Sequence, residues 1–441
     1  MSSPTAPISE GSVETLVVGA GVSGLGFRGF WRDVGGPGSV LVVDKAPAPG
    51  GWCRSIQQDG FVWDYSGHFF HFRHKDLEQR LVERMESGAV RTIVKRSRVV
   101  DVDGCEVSFP YQRSIGELPT PAWKQCLVDL WHAEQGRATT TSARSAPATT
   151  TFKEMLYARL GRSISERFLV PYNEKLYAVD LDDLDADCMG RFFPTTTFAD
   201  VMQALGSGSD DGGYNATFTY PRGGAVEYVN ALLQDTAPEE LALNEELTAI
   251  DLKTKVATTT KRAIHFERLV TSAPLPTTLR ACSLAHDTTA FGSNRVLVFN
   301  LGFDAKGRDD VHWVYFAAKT LPFYRVGFYD NIFDDNRMSL YVEIGLESMG
   351  AVDVDFWKKR VLQGLIDAGI VTHQNLVSWH AIVMDPAYVH INARSLKETA
   401  RTRAALEEAG VFSIGRYGAW TYCSIEDNLV EARALAQRLA P

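Results

Sequence analysis

The sequence predicts an α/β fold in which a nucleotide-binding βαβ domain is joined by an inserted, mainly helical domain and an antiparallel β-sheet domain. Three observations lead there. An apolar strand near the start runs straight into Gly19-Ala-Gly21-Val-Ser-Gly24, the spacing that opens a helix over a pyrophosphate. Helical periodicity dominates from Thr120 to about Asp180, with Leu156, Leu160, Ile164 and Phe168 on one face. Period-two apolar runs recur between Val296 and Leu346, as half-buried antiparallel strands require.

Thr15 to Val18 reads as the first strand. Gly19 permits the tight turn out of it, Gly21 lets backbone approach a phosphate, and Gly24 lets the helix pack close to the sheet. Val22 and Ser23 open that helix, whose positive end favours an anion. A second strand, Ser39 to Val43, leads to Asp44 and Lys45; Asp44 lies about twenty residues past Gly24, where a carboxylate can accept from a ribose hydroxyl. Gly50-Gly51-Trp52 and Ser66-Gly67-His68 follow as permissive turns, and glycines so early suggest a large cofactor lying along the backbone.

Further on, residues 137–151 form a Thr, Ser and Ala tract that reads as a flexible linker. Gly206 to Gly213 is polar and permissive enough for a mobile lid. Leu247–Leu252 and the stretch from Leu269 read as strands returning to the nucleotide sheet. Runs at 296–299, 313–316, 324–328 and 340–344 supply the antiparallel sheet. Val354–Ala368 is an amphipathic helix with Gly369 as its stop, Leu396–Ala409 another helix, and Val411–Ile414 a strand. Ser424 and Asp427 form a capping box for a final helix from about Ile425. The expected division is a nucleotide-binding domain in three pieces (1–90, 216–285, 401–441), a helical substrate domain (91–215) and a sheet domain (286–400).

A length of 441 residues fits two or three domains. With a net charge of -9 and no long Lys/Arg run, nucleic acid is excluded as the expected partner. Met1–Ser12 is small and polar, without a secretory signal pattern, and no apolar run approaches the ~18 residues of a membrane span. Six scattered cysteines with no C-x-x-C pair read as reduced thiols, so a cytoplasmic location is expected. No metal-ligand cluster and no catalytic triad stands out.

Several segments together carry a resemblance. Gly50-Gly51, Ser66-Gly67-His68-Phe-Phe-His71, Phe109-Pro110, Tyr172-Asn-Glu-Lys-Leu-Tyr177, Tyr220-Pro-Arg-Gly223-Gly224, Pro322-Phe-Tyr-Arg325 and Gly415-Arg416-Tyr-Gly-Ala-Trp-Thr-Tyr422 resemble, in order and spacing, the UDP-galactopyranose mutase family of flavoproteins. The glycine segments are shared with the wider amine oxidase and protoporphyrinogen oxidase group. The resemblance implies a Rossmann-type FAD-binding domain and FAD, active when reduced, rather than NAD as the tightly held dinucleotide. It implies a cofactor site of Gly19, Gly21, Val22, Ser23, Gly24, Asp44, Lys45, Gly51, Trp52, Gly67, His68, Gly223, Gly224, Gly415 and Arg416, with Gly67 and His68 beside the flavin ring and Gly223-Gly224 under it. His68 and His71 also have a purely structural reading as hydrogen-bonded histidines.

By the same resemblance, Phe168, Tyr172, Asn173 and Tyr177 form a uridine-binding face on which rings stack against a flat base. Arg325, Arg416, Tyr388 and Tyr422 surround the sugar and diphosphate, where guanidinium forks suit phosphates. His68, Arg325 and Arg416 are the expected catalytic residues. The implied reaction interconverts pyranose and furanose forms of a UDP-sugar, UDP-galactose or a relative: reduced flavin N5 attacks the anomeric carbon and displaces UDP, with NAD(P)H as a possible external reductant. Two departures stand against it. Thr195 occupies the place of a second diphosphate arginine, leaving Arg191 or Arg222 to supply the charge, and Ser424 stands where the family has an aspartate. An amine oxidase or desaturase-like oxidoreductase, or a non-catalytic flavoprotein that binds a nucleotide sugar, is the alternative reading.

Overall fold

A computed structural model describes residues 9–140, 150–207 and 216–441. Residues 141–149 of the expected linker and 208–213 of the expected lid lie outside the described residues.

The first sheet grows around its most apolar strand. Ser9–Val18 lies parallel to Val40–Val43 on one side and to Arg262–Thr271 on the other. Leu16, Val17, Val42 and Val43 have no more than trace exposure, as expected for parallel strands covered by helices on both faces. Helix Val22–Asp33 packs against the closing helix Ile425–Leu439, a contact made possible by Gly26: a Cβ there would meet Leu429 at 2.8 Å. Val411–Ser413 pairs in parallel with the end of Arg262–Thr271, so the last segment of the chain completes the sheet that the first one started. Leu247–Asp251 and Val256–Thr259 add an antiparallel arm. The returning strands expected from the sequence are all in this sheet.

The second sheet runs in the order Leu376–Met384, Arg295–Phe303, Ser339–Leu346, Arg325–Phe328, Trp313–Phe316, Ser97–Val100, Glu106–Ser108. Its pairs are antiparallel except for Trp313–Phe316 beside Ser97–Val100, which run in parallel. The last two strands come from the segment read as mainly helical. They form there because buried, β-branched Val99 and Val107 fill the sheet face; at four and three residues they are too short for alternation to register. Helix Val354–Asp367 seals one face with Val361 and Leu365.

In the helical insertion, Thr120–Thr140 continues past the break expected at Arg137. Phe152–Ile164 starts at a capping box of Thr151 and Glu154, and it passes Gly161 at φ 76°, where a Cβ would meet the Asp129 backbone at 2.6 Å. A π-helical turn, Ser165–Leu169, then leads into Val170–Tyr177.

Among the closest of the glycine contacts is Gly24, whose Cβ would fall 1.9 Å from the Gly19 carbonyl oxygen. Gly24→Ala is therefore expected to force the helix off its loop and to lower stability by about 1–3 kcal/mol, measured as a fall in the urea midpoint. An unchanged midpoint would contradict the close approach.

Candidate functional site

The glycine loop opens one wall of a cavity of about 560 Å³. Gly19 leaves the strand at φ 101°, and Gly21 is the N-cap of helix Val22–Asp33 with no side chain capping it. The first helical N–H groups therefore face the cavity without a protein partner from the cap, an arrangement suited to a phosphate. Gly21 bridges to Gly50, and Gly51 stands opposite at φ 58°. Of the residues expected at the cofactor, Gly19, Gly21, Val22, Ser23, Asp44, Lys45, Gly51, Trp52, His68 and Arg416 line this cavity. Asp44 is anchored by its own loop: its oxygens accept from the Ala20 N–H at 2.7 Å and the Ala46 N–H at 2.8 Å. Each oxygen keeps a further lone pair for a hydroxyl.

Five expected cofactor residues are not on the cavity wall. Gly24 lies behind the loop. A Cβ on Gly67 would strike the Tyr341 hydroxyl at 2.6 Å, one on Gly223 the Glu227 carboxylate at 2.5 Å, one on Gly224 the Ser55 hydroxyl at 2.3 Å, and one on Gly415 the Ser23 hydroxyl at 2.3 Å. What these glycines provide in the structure is close approach between segments.

His68, Arg416 and Tyr417 also line the cavity. The Arg416 guanidinium carbon lies 4.9 Å from the Tyr422 ring centre and 5.3 Å from that of Tyr388, and these two rings are near-parallel at 6.1 Å. Tyr172 stands edge-on to Tyr315 at 5.5 Å and to Tyr324 at 6.1 Å. Burial pushes the His68 imidazole down to about 4, and the nearby Arg416 and Arg325 charges push the same way against the opposing Glu343. His68 is thus neutral at pH 7. The structure brings His68, Arg325, Arg416, Tyr172, Tyr388 and Tyr422 into one charged, tyrosine-lined region.

The aromatic face differs from expectation. Phe168 and Tyr172 stack on one another at 4.9 Å, and Phe168 meets Tyr111 on its other side at 5.2 Å. No base fits between them. Phe168 and Tyr177 are core residues, and Asn173 is buried with its amide donating to the Leu169 carbonyl at 2.7 Å. The resemblance placed these residues on a binding face, yet they pack inward; Tyr172 alone of the four stays partly exposed. His71 is held by the Thr217 carbonyl at 2.8 Å, matching its structural reading. Each substitute arginine has a partner of its own in the structure: Arg191 pairs with Asp427, and Arg222 lies over the Phe333 ring at 4.3 Å. Ser424 is the helix cap, accepting from the Asp427 N–H.

Arg325 brings a residue the sequence reading missed. Its Nε and Nη2 donate to the two oxygens of fully buried Glu343 at 2.7 and 2.8 Å, and the Ser66 hydroxyl donates to the same carboxylate. Burial alone would raise the Glu343 carboxyl; the Arg325 charge and these hydrogen bonds hold it below the usual range. The signal was present in Leu340-Tyr-Val-Glu343-Ile, a lone charge inside an apolar strand. Lys175 was also missed. Its ammonium donates to the Phe316 and Ala318 carbonyls at 3.0 and 2.9 Å, tying the Tyr172 helix to the second sheet, and burial pushes it down to about 7.

Residues 17–84 match the family model of the NAD(P)-binding Rossmann-like domain. Over 80 residues the chain is 39% identical to a ferredoxin–NADP reductase from Saccharopolyspora erythraea, a match spanning 17% of this chain and 22% of that protein. The solved structure of reduced UDP-galactopyranose mutase superposes with a TM-score of 0.86 at 21% identity, over 97% of this chain and 93% of that one. The chain has the fold of that mutase. Cyclohexylamine oxidase from Brevibacterium oxydans IH-35A superposes at 0.68 with 16% identity, over 98% of this chain and 99% of the other. The expected fold class, a Rossmann-type α/β domain combined with an antiparallel sheet, is the one observed.

Asp64 is fully buried and forms no ion pair among the described residues. It accepts from the Ser55 and Tyr220 hydroxyls at 2.6 and 2.8 Å and from the Ala225 N–H at 2.8 Å. Burial nevertheless pushes its carboxyl up to about 7. The folded state therefore holds a proton that the unfolded chain, with a value near 3.9, releases. Stability from this group is full below about pH 4 and falls as pH rises towards 7. Asp64→Asn should flatten that decline in denaturation midpoints measured between pH 4 and 8; an unchanged slope would remove Asp64 as its source.

Proposed function

We propose that the protein is a flavin-dependent mutase that interconverts the pyranose and furanose forms of a UDP-sugar. The observation that carries this reading is the convergence of Arg325, Arg416, neutral His68 and the Tyr172, Tyr388 and Tyr422 rings next to a cavity that His68 and Arg416 share with the glycine loop. FAD fits the residues present: an uncapped helix N-terminus and glycine loop for its pyrophosphate, Asp44 for a ribose, and His68, Trp52 and Arg416 along the rest of the wall. The nucleotide-binding domain in three pieces belongs to the same proposal. When bound and reduced, the flavin would supply a nucleophilic nitrogen for the sugar's anomeric carbon.

The chain's own part is electrostatic and steric. Arg325 uses Nε and Nη2 on Glu343, which leaves Nη1 to donate to a phosphate oxygen. Arg416 makes no ion pair among the described residues and supplies full positive charge. Together they stabilise a departing diphosphate. Tyr172, the partly exposed aromatic of its helix, is the ring left to meet a base, and the half-buried tyrosines keep water from the sugar. His68, uncharged, adds no repulsion to a sugar that acquires positive character. NAD(P)H is the proposed reductant.

The shared fold with cyclohexylamine oxidase favours an oxidase as second reading. Its substrate, if a protonated amine, would meet two guanidinium groups, an unfavourable pairing in a half-buried site.

Dithionite-reduced protein incubated with UDP-galactose and other UDP-sugars is expected to form a furanose product, and oxidised protein is not. Oxygen uptake with an amine and no furanose from any UDP-sugar would reverse the choice. Arg325→Ala should lower kcat/KM by about 10²–10³ while the flavin absorbance of the purified protein is kept; unchanged kinetics would remove Arg325 from the site.

A further inference from the structure

We propose that Tyr315 is a further substrate-binding residue: its hydroxyl, held by the Trp313 indole, donates to an oxygen of the substrate's diphosphate beside the free guanidinium nitrogen of Arg325. The assignment rests on the reading of this region as a site for a nucleoside diphosphate. The register of the second sheet puts the groups in line. Tyr315, on strand Trp313–Phe316, lies directly opposite Arg325, and Arg325 lies directly opposite Glu343 on the next strand. Directly opposed residues of neighbouring strands project from one face, with their side chains in reach of one another. Arg325 thus has Glu343 on one side and Tyr315 on the other. Glu343 takes up Nε and Nη2, so Nη1 is the donor left. The Tyr315 ring meets Phe109 at 5.3 Å and Tyr172 at 5.5 Å, and it lies within electrostatic reach of Arg325, Tyr388 and Tyr422.

Trp313 decides which way that hydroxyl acts. Two residues apart on one strand, the pair share a face, and the Trp313 Nε1–H donates to the Tyr315 oxygen at 2.7 Å. An indole only donates. The Tyr315 proton therefore has no way back onto Trp313, and among the described residues no acceptor takes it. Trp313 is buried, stacked on Phe69 at 5.3 Å with the ring planes 5° apart and packed on Phe218 at 5.6 Å, so its N–H keeps one direction. Burial, against the pull of the Arg325 charge, holds the Tyr315 hydroxyl above the usual phenol range, and it keeps its proton at neutral pH. Each donor has its own orienting partner: Glu343 sets Arg325, and Trp313 sets Tyr315. Two neighbouring donors with fixed directions match two oxygens of a phosphate.

The test is titration calorimetry of the flavin-loaded protein with UDP. Tyr315→Phe keeps the ring and removes the donor, and it is expected to weaken UDP binding about 10- to 100-fold with flavin absorbance kept. Its melting temperature should fall somewhat, because the buried Trp313 N–H loses its partner. Trp313→Phe keeps the donor and frees its direction, and should weaken UDP binding about two- to tenfold. In protein that already carries Tyr315→Phe, adding Trp313→Phe should leave UDP affinity where it was, a coupling that a purely structural Trp313 would not show. If Tyr315→Phe binds UDP as tightly as the wild type while Arg325→Ala and Arg416→Ala lose it, the assignment is overturned and the diphosphate site stands. UDP bound equally by the wild type and both arginine variants, or by none of them, would overturn the diphosphate site and the assignment together. Loss of affinity for UDP-galactose with none for UDP would move Tyr315 to the sugar and overturn its place at the diphosphate.

Discussion

The ion pair between Arg325 and Glu343 is the joint on which the rest of the site depends. The two residues sit directly opposite one another on adjacent antiparallel strands of the second sheet. The Ser66 hydroxyl reaches the same carboxylate from the segment that carries His68. One buried charge pair thus fixes the register of two strands and ties the nucleotide-binding half of the chain to the sheet half. Removing one partner of such a pair costs about 3–5 kcal/mol, because the other is left buried and uncompensated. Asn300 and Tyr329 reinforce the joint by bonding the Asp64 backbone from the same sheet.

The pair also limits the charge the site can offer. Glu343 cancels most of the field of Arg325, so Arg325 serves mainly as an oriented donor. Arg416, set over the Tyr388 and Tyr422 rings with no carboxylate partner among the described residues, is the stronger source of positive potential. Two arginines that look equivalent in the sequence therefore differ in kind: one is directional and nearly neutralised, the other fully charged and held by aromatic faces. For the proposed anionic substrate, this unequal pair and the tyrosine hydroxyls are the donors nearest one another in the region.

Much of the fold was legible because the signals were local and long. The strand before Gly19, the period-two runs from Val296 to Ile344 and the capping box at Ser424 each need only neighbouring residues to be read. The strands at 97–100 and 106–108 were hidden by their brevity, and the π-helical turn at Ser165–Leu169 leaves no periodic mark. In the candidate site, the glycine loop was legible for the same local reason, while Glu343 required knowing what lies across the sheet. Phe168, Asn173 and Tyr177 show the opposite limit: the resemblance puts them on a binding face, but what meets the core is decided by residues far away, here Tyr111, Phe152 and Tyr388.

The glycines divide along the same line. Gly21 and Gly51 border space, and their missing side chains leave the cavity open, whereas a Cβ on Gly19 would meet the Ser272 hydroxyl at 2.3 Å. Gly24, Gly67, Gly224 and Gly415 border protein, and theirs make room for another part of the chain. Both kinds are required by one geometry. The helix can present its N-terminus to a phosphate only if Gly24 lets it lie against the loop, and Gly415 lets Arg416 reach the cavity only because Ser23 fills the place of a Cβ. A ligand-binding glycine pattern in this chain is therefore inseparable from a packing pattern, since the surface that meets the ligand is held by contacts one atom too close for any side chain.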